Sequence, residues 1–130
     1  MKLRLRHNSI RLRLGKSEIE CLQQGGECRE VILFPGWQRL EYALEPSPES
    51  AISASLAGTI LRIGVPAQDL ATWCSSDQVG LYAEIPLPEA RVLQVLIEKD
   101  FRCLDGRSSE DQADTFENPL PEHLNCEMQS

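Results

Sequence analysis

Aromatic side chains are scarce in this chain of 130 residues: three Phe, two Trp and two Tyr. Its core must therefore be mostly aliphatic. Histidine is scarcer still. His7 falls at a turn tip and His123 in a polar terminal stretch, so no imidazole stands beside a nucleophile as covalent catalysis requires. Ser9 near His7 is no substitute, because alternate strand positions do not by themselves create attack geometry. Gly58 and Gly64 form no phosphate-cradling loop of the G-x-G-x-x-G or Walker type. The cysteines, Cys21, Cys28, Cys74, Cys103 and Cys126, are odd in number and contain no CxxC pair, which argues against a secreted disulfide framework and a standard zinc ribbon. Reduced thiols are the expectation. No run approaches the roughly 20 apolar residues of a membrane span, and the N-terminal stretch alternates cations with leucines where a signal peptide would be uniformly apolar. The expectation is a cytoplasmic protein of one domain with no membrane partner.

Charge is present in quantity but unevenly. The net charge is −7, yet residues 1–16 carry Lys2, Arg4, Arg6, Arg11, Arg13 and Lys16 and no acid, whereas residues 105–130 carry seven acids and one Arg. The bulk field opposes nucleic acid, so any phosphate contact would rest on the first sixteen residues.

Those residues also contain the clearest structural signal. In KLRLRHNSIRLRL, apolar and polar residues alternate on both sides of His7-Asn8, which predicts a hairpin with a two-residue turn because Asn tolerates positive φ. The alternation sets Lys2 opposite Arg13, Arg4 opposite Arg11 and Arg6 opposite Ser9. Leu3, Leu5, Ile10 and Leu12 then share one face, and the other is almost wholly cationic. Ser17 to Glu20 reads as a capping box opening a short helix that Gly25-Gly26 ends. Strand-like runs follow at Arg29 to Phe34 and Leu40 to Glu45, split by Pro35-Gly36, and Pro46 to Ser50 is a connector.

The second half repeats the order: Ile52 to Leu56, an Ala57-Gly58 turn, Ile60 to Val65, a helix over Ala67 to Cys74, then Leu81 to Leu87 and Arg91 to Lys99. Sliding the chain by 51 places Leu12 and Leu14 on Ile63 and Val65, Leu22 on Trp73, and Pro35 on Pro86 with the apolar phase kept. The expected fold is α+β and mainly antiparallel, with about eight strands in a barrel-like or two-sheet arrangement and two short helices. It occupies residues 1–104 and contains a candidate strand-strand-helix-strand-strand repeat at 1–46 and 51–99. Residues 105–130 form an acidic strap or tail anchored by Phe116 and Leu120, or else lack a fixed fold.

KLRLRHNSIRLRL at the start, and IEKDFRCL and EDQADTFENP near the end, resemble a small bacterial family known only as a domain of unknown function. The resemblance extends more loosely to VPAQDLATW and VGL. It implies a bacterial source, implies that the tail belongs with the domain, and implies no chemistry.

The residues themselves offer few sites. Like charges directly across a strand pair are destabilising, so the arginines need something negative. They could take an anionic ligand in bidentate fashion, or pair with the chain's own Glu84, Glu98, Asp100 or acidic tail. Lys99 with Asp100 is a further polar candidate, or simply an ion pair. The run Glu110-Asp111-Gln112-Ala113-Asp114 lacks the ladder of a calcium loop and reads as a solvated segment. Cys103, Asp105, His123 and Cys126 would make an acceptable zinc set, though in no standard spacing. No cofactor is implied. A triphosphate-tunnel enzyme would need a closed barrel and an alternating Glu-x-Glu-x-Lys opening, which is absent. Two readings remain: a non-enzymatic binding module whose anionic ligand or protein partner meets Arg4, Arg6, Arg11 and Arg13, or an enzyme or sensor that binds phosphorylated small molecules such as a nucleotide or polyphosphate through the same arginines with Lys99 and Asp100.

Overall fold

The first hairpin forms as its alternation demands. In the computed structural model, which describes residues 1–101, β1 (Lys2–Arg6) and β2 (Ser9–Leu14) pair antiparallel with Lys2 on Arg13, Arg4 on Arg11 and Arg6 on Ser9. The positive φ falls on His7 (51°) and not on Asn8. Asn8 instead donates its side-chain amide to the Val92 carbonyl at 2.8 Å, tying the turn to a distant strand.

Helix α1 (Lys16–Gln23) begins earlier than Ser17 to Glu20 suggests. Gly15 is its N-cap, and Glu18 takes the Gly15 N–H at 2.8 Å, satisfying a donor that no helical carbonyl can reach. The helix stops where Gly25 turns left-handed at φ 84°. Then come β3 (Cys28–Phe34), a tight turn at Pro35–Trp37, β4 (Gln38–Ser47), β5 (Ser53–Ala57), β6 (Ile60–Pro66), α2 (Ala67–Ser75), β7 (Gly80–Leu87) and β8 (Arg91–Lys99). The β5–β6 turn is Gly58-Thr59, one residue later than the composition suggests, with Gly58 at φ 60° in the place that His7 holds in the first hairpin.

The eight strands form two four-stranded sheets, β1-β2-β8-β7 and β3-β4-β6-β5. Among the described residues no closed barrel forms, and the two-sheet alternative is the one realised. Each sheet takes one hairpin from each half of the chain, joined at its centre by a parallel seam, β2 with β8 and β4 with β6. The remaining four pairings are antiparallel hairpins.

The two halves use the same pairing scheme. Lys2 on Arg13 corresponds to Ser53 on Gly64 at an offset of 51, but Val31 on Glu41 corresponds to Glu84 on Gln94 at an offset of 53. With those two offsets, Ser9 on Gln94 across one seam corresponds to Ile60 on Glu41 across the other. The second half thus holds two more residues between its helix start and its last hairpin, and Pro35 corresponds to Pro88, not Pro86. The turns agree: Gly36 and Trp37 have φ 76° and 61°, Glu89 and Ala90 have φ 65° and 58°.

The core lies where the inner faces of the sheets meet the helices. Leu12 and Leu14 of β2, Tyr42 and Leu44 of β4, Ile63 and Val65 of β6, and Val95 and Ile97 of β8 are buried with Leu22 of α1 and Leu70 and Trp73 of α2. Trp73, fully buried, is the largest of these plugs, and its indole N–H donates to the Val79 carbonyl at 3.2 Å. Leu5 departs from expectation. It is exposed near the hairpin tip, as is its counterpart Leu56.

Candidate functional site

The cationic face predicted from the sequence exists and has a definite layout. Across the outer face of the first sheet, the rows read Lys2–Arg13–Glu98–Gly80, Arg4–Arg11–Leu96–Tyr82 and Arg6–Ser9–Gln94–Glu84. Positive charge occupies the β1–β2 side, and β8 with the residue just after it supplies the neutralising acids. Arg13 Nε donates to Glu98 at 2.9 Å, Arg11 Nε lies 3.4 Å from the same carboxylate oxygen, and Lys2 lies 3.0 Å from Asp100. Arg4 and Arg6, both exposed, also have partners. Glu84 accepts instead from the Tyr82 hydroxyl at 2.9 Å, and that hydrogen bond raises the phenol's pKa.

Lys99 does not join this face. Strand alternation turns it to the side opposite Glu98 and Asp100. There its ammonium lies 5.6 Å from the Trp73 ring centroid and donates to the Ser76 carbonyl at 2.7 Å. It closes one end of the core and stands away from the arginines. Cys103, Asp105, His123, Cys126 and the acidic run from Glu110 to Asp114 lie outside the described residues. Among the described residues no group of acids, cysteines and histidines is arranged to hold a metal. Cys28 and Cys74 are buried thiols, and burial pushes Cys28 up to about 11 and raises Cys74 as well.

Two features escaped the sequence reading. One is Glu41, only 4% exposed on the outer face of the second sheet, where Arg29 donates to it at 2.9 Å and Arg39 lies at 3.1 Å. Beside it Arg62 lies 3.6 Å from Glu45. Under the offsets given above, Arg62 and Glu45 are the counterparts of Arg11 and Glu98, so the same diagonal ion pair braces both parallel seams.

The other is the β3–β4 hairpin. Val31, Ile32, Leu33, Phe34 and Trp37 all stand exposed, Leu33 at 79% and Trp37 completely. Leu33, Phe34, Gly36, Trp37, Gln38 and Arg39 surround an open concavity of about 550 Å³. Trp37 holds φ 61°, a left-handed conformation costly for a bulky residue, and this conformation carries its ring into water. The signal was in the sequence as an unbroken apolar run, VILF, but such a run ordinarily denotes a strand buried on both faces.

No curated protein and no solved structure matches the chain. The model of a family described as "Family of unknown function (DUF7009)" matches residues 1–120, and the chain belongs to that family, as the opening and closing motifs suggest.

Proposed function

We propose that this member of the family is a non-enzymatic interaction module that binds its partner through the tip of the β3–β4 hairpin. The observation that carries the reading is the group of five large apolar side chains presented together in solvent, an arrangement monomeric proteins avoid unless the surface is used. Enzymatic chemistry has no comparable support: neither a nucleophile with a base nor a cluster of metal ligands occurs among the described residues. A peptide-display selection on submicromolar protein tests the reading. Apolar peptides should be enriched and should fail to bind Leu33→Lys, whereas equal enrichment on that variant would overturn it.

A second reading rests on Arg4 lying directly opposite Arg11. A sheet face offers no enclosing walls of its own, so it suits an acidic peptide better than a small phosphorylated molecule that needs them. Residues 105–130, with seven acids to one Arg, supply an acidic sequence within the chain itself. Polyglutamate should then bind at low salt, more weakly to Arg11→Ala and more tightly to Glu98→Gln, which removes the competing carboxylate. Binding that ignores both substitutions would dismiss this reading.

A further inference from the structure

Each sheet has two edges, and an open edge strand invites pairing with another chain unless something blocks it. Three of the four edges are blocked. β1 carries Lys2, Arg4 and Arg6; β5 has only five residues; β7 carries Glu84 and Pro86. Among the described residues β3 is the exception. At the positions corresponding to Glu84 and Pro86, it has Val31 and Leu33, and Ile32 and Phe34 between and after them are apolar too. Pairing scheme and turn conformation are the same in both halves, so the two hairpins differ chiefly in what their edges present.

We infer that β3 is a self-pairing edge: two copies of this chain join β3 to β3 antiparallel about a two-fold axis at Ile32. The inference rests on the hairpin-tip reading and names its partner as a second copy. A two-fold axis perpendicular to the sheet pairs outer-face residues with outer-face residues, so it must pass through a residue and not between residues. An axis at Val31 would set Arg29 against Leu33 of the other copy and Glu30 against Ile32. One at Leu33 would run Val31 into Pro35, which has no N–H to give. An axis at Ile32 pairs Ile32 with itself and Val31 with Leu33, all apolar, and sets Glu30 beside Phe34; it meets Pro35 only opposite Arg29, beyond the end of the paired strands, whereas the axis at Leu33 meets it two residues from its centre. Glu30 lies 3.2 Å from the Met1 amino group and keeps that partner.

The five exposed side chains present on the order of 600 Å² per copy, so two copies have about 1,200 Å² to draw on, the lower limit of a standard specific interface. The result is an eight-stranded sheet whose two outer edges are both the short β5. The assembly closes as a dimer and does not propagate.

Sedimentation of the full chain tests this. The mass should rise from 14.6 kDa toward twice that value between about 1 and 200 µM, and more readily at high salt, which screens the −7 charge on each copy. Ile32→Lys and Ile32→Glu, each setting like charges on the axis, should remain at 14.6 kDa alone and recover the doubled mass when mixed. If either lowers the melting temperature, Leu33→Lys mixed with Val31→Glu probes the same axis at neighbouring positions. A wild-type mass fixed at 14.6 kDa throughout would overturn self-pairing while leaving the hairpin reading to stand on peptide enrichment. Both would fall if enrichment were absent as well. Single variants that still dimerise, or mixtures that do not, would each overturn the pairing about Ile32.

Discussion

The chain has two tryptophans, and the fold puts them to opposite uses. Trp73 is sealed in the core with its N–H satisfied, whereas Trp37 stands wholly in water on a left-handed backbone. Trp73→Ala should cost about 3–5 kcal/mol of unfolding free energy in urea, the usual penalty for emptying a core aromatic site. Trp37→Ala at low protein concentration should change it by no more than about 0.5 kcal/mol. Acrylamide should quench the fluorescence of Trp37 and spare that of Trp73. The buried thiols make a pH prediction. Cys28 ionises at about 11 in the fold, against about 9 when unfolded, because burial and then Glu18 disfavour the thiolate. Between those values the unfolded chain has released a proton that the folded chain keeps, so stability should decline as pH rises from about 9 to about 11. Tyr42 and Cys74, also raised, act in the same direction. Urea melts across that range should show the decline, and Cys28→Ala should make it shallower.

At the scale of elements, each parallel seam is braced by one diagonal Arg–Glu pair, Arg11 with Glu98 and Arg62 with Glu45. Double-mutant cycles should find both couplings small, about 0.2–1 kcal/mol and falling with salt, since all four groups keep contact with water. Arg13 competes for Glu98 at 2.9 Å, so the coupling to Arg11 should be the weaker until Arg13 is replaced. Among the described residues the second sheet has no such competitor. Gly64 holds the corresponding position, and a side chain there would come within 2.8 Å of the Ser53 hydroxyl and 3.2 Å of the Ser47 Cβ.

These elements also show which parts of the fold a sequence discloses. The β1–β2 register was legible because Arg and Leu alternate without interruption, and a slip of one residue would have buried every cation. Helix α1 was legible but its start was read two residues late, because Gly15 has no side chain to announce the N-cap and Glu18, not Glu20, is the acid that accepts from the cap N–H. The two-residue insertion before β7 was hidden, since strand patterning repeats every two residues and a slip of two preserves it. The β2–β8 seam joins residues 85 positions apart, such as Ser9 and Gln94, and the β4–β6 seam residues 19 apart, such as Glu41 and Ile60; local pattern carries no trace of either. Of the candidate site, the arginines were legible as one face. Glu98 and Asp100 were among their foreseen partners, while the exposure of VILF depends on β3 ending as an edge and was not.

For the molecule as a whole, no sheet belongs to one half. Met1 to Asp100 form one compact unit in which each half supplies a hairpin to either sheet and a helix to the shared core. Residues 1–50 and 51–130 made as separate chains should therefore each lack cooperative unfolding. Mixed, they should recover strand content by circular dichroism and a single melting transition. A half that melts cooperatively by itself would contradict this account of the seams. Folding should show the same dependence: hairpins close early, and the β2–β8 seam, with its long loop closure, limits the rate.

The crossed arrangement of hairpins has one more consequence. Because each layer takes a hairpin from each half of the chain and the halves meet along the central strands, any change along a central strand is felt by both halves at once. Novelty is confined to the rims, where a handful of substitutions can convert a guarded border into an adhesive one without disturbing the interlocked middle.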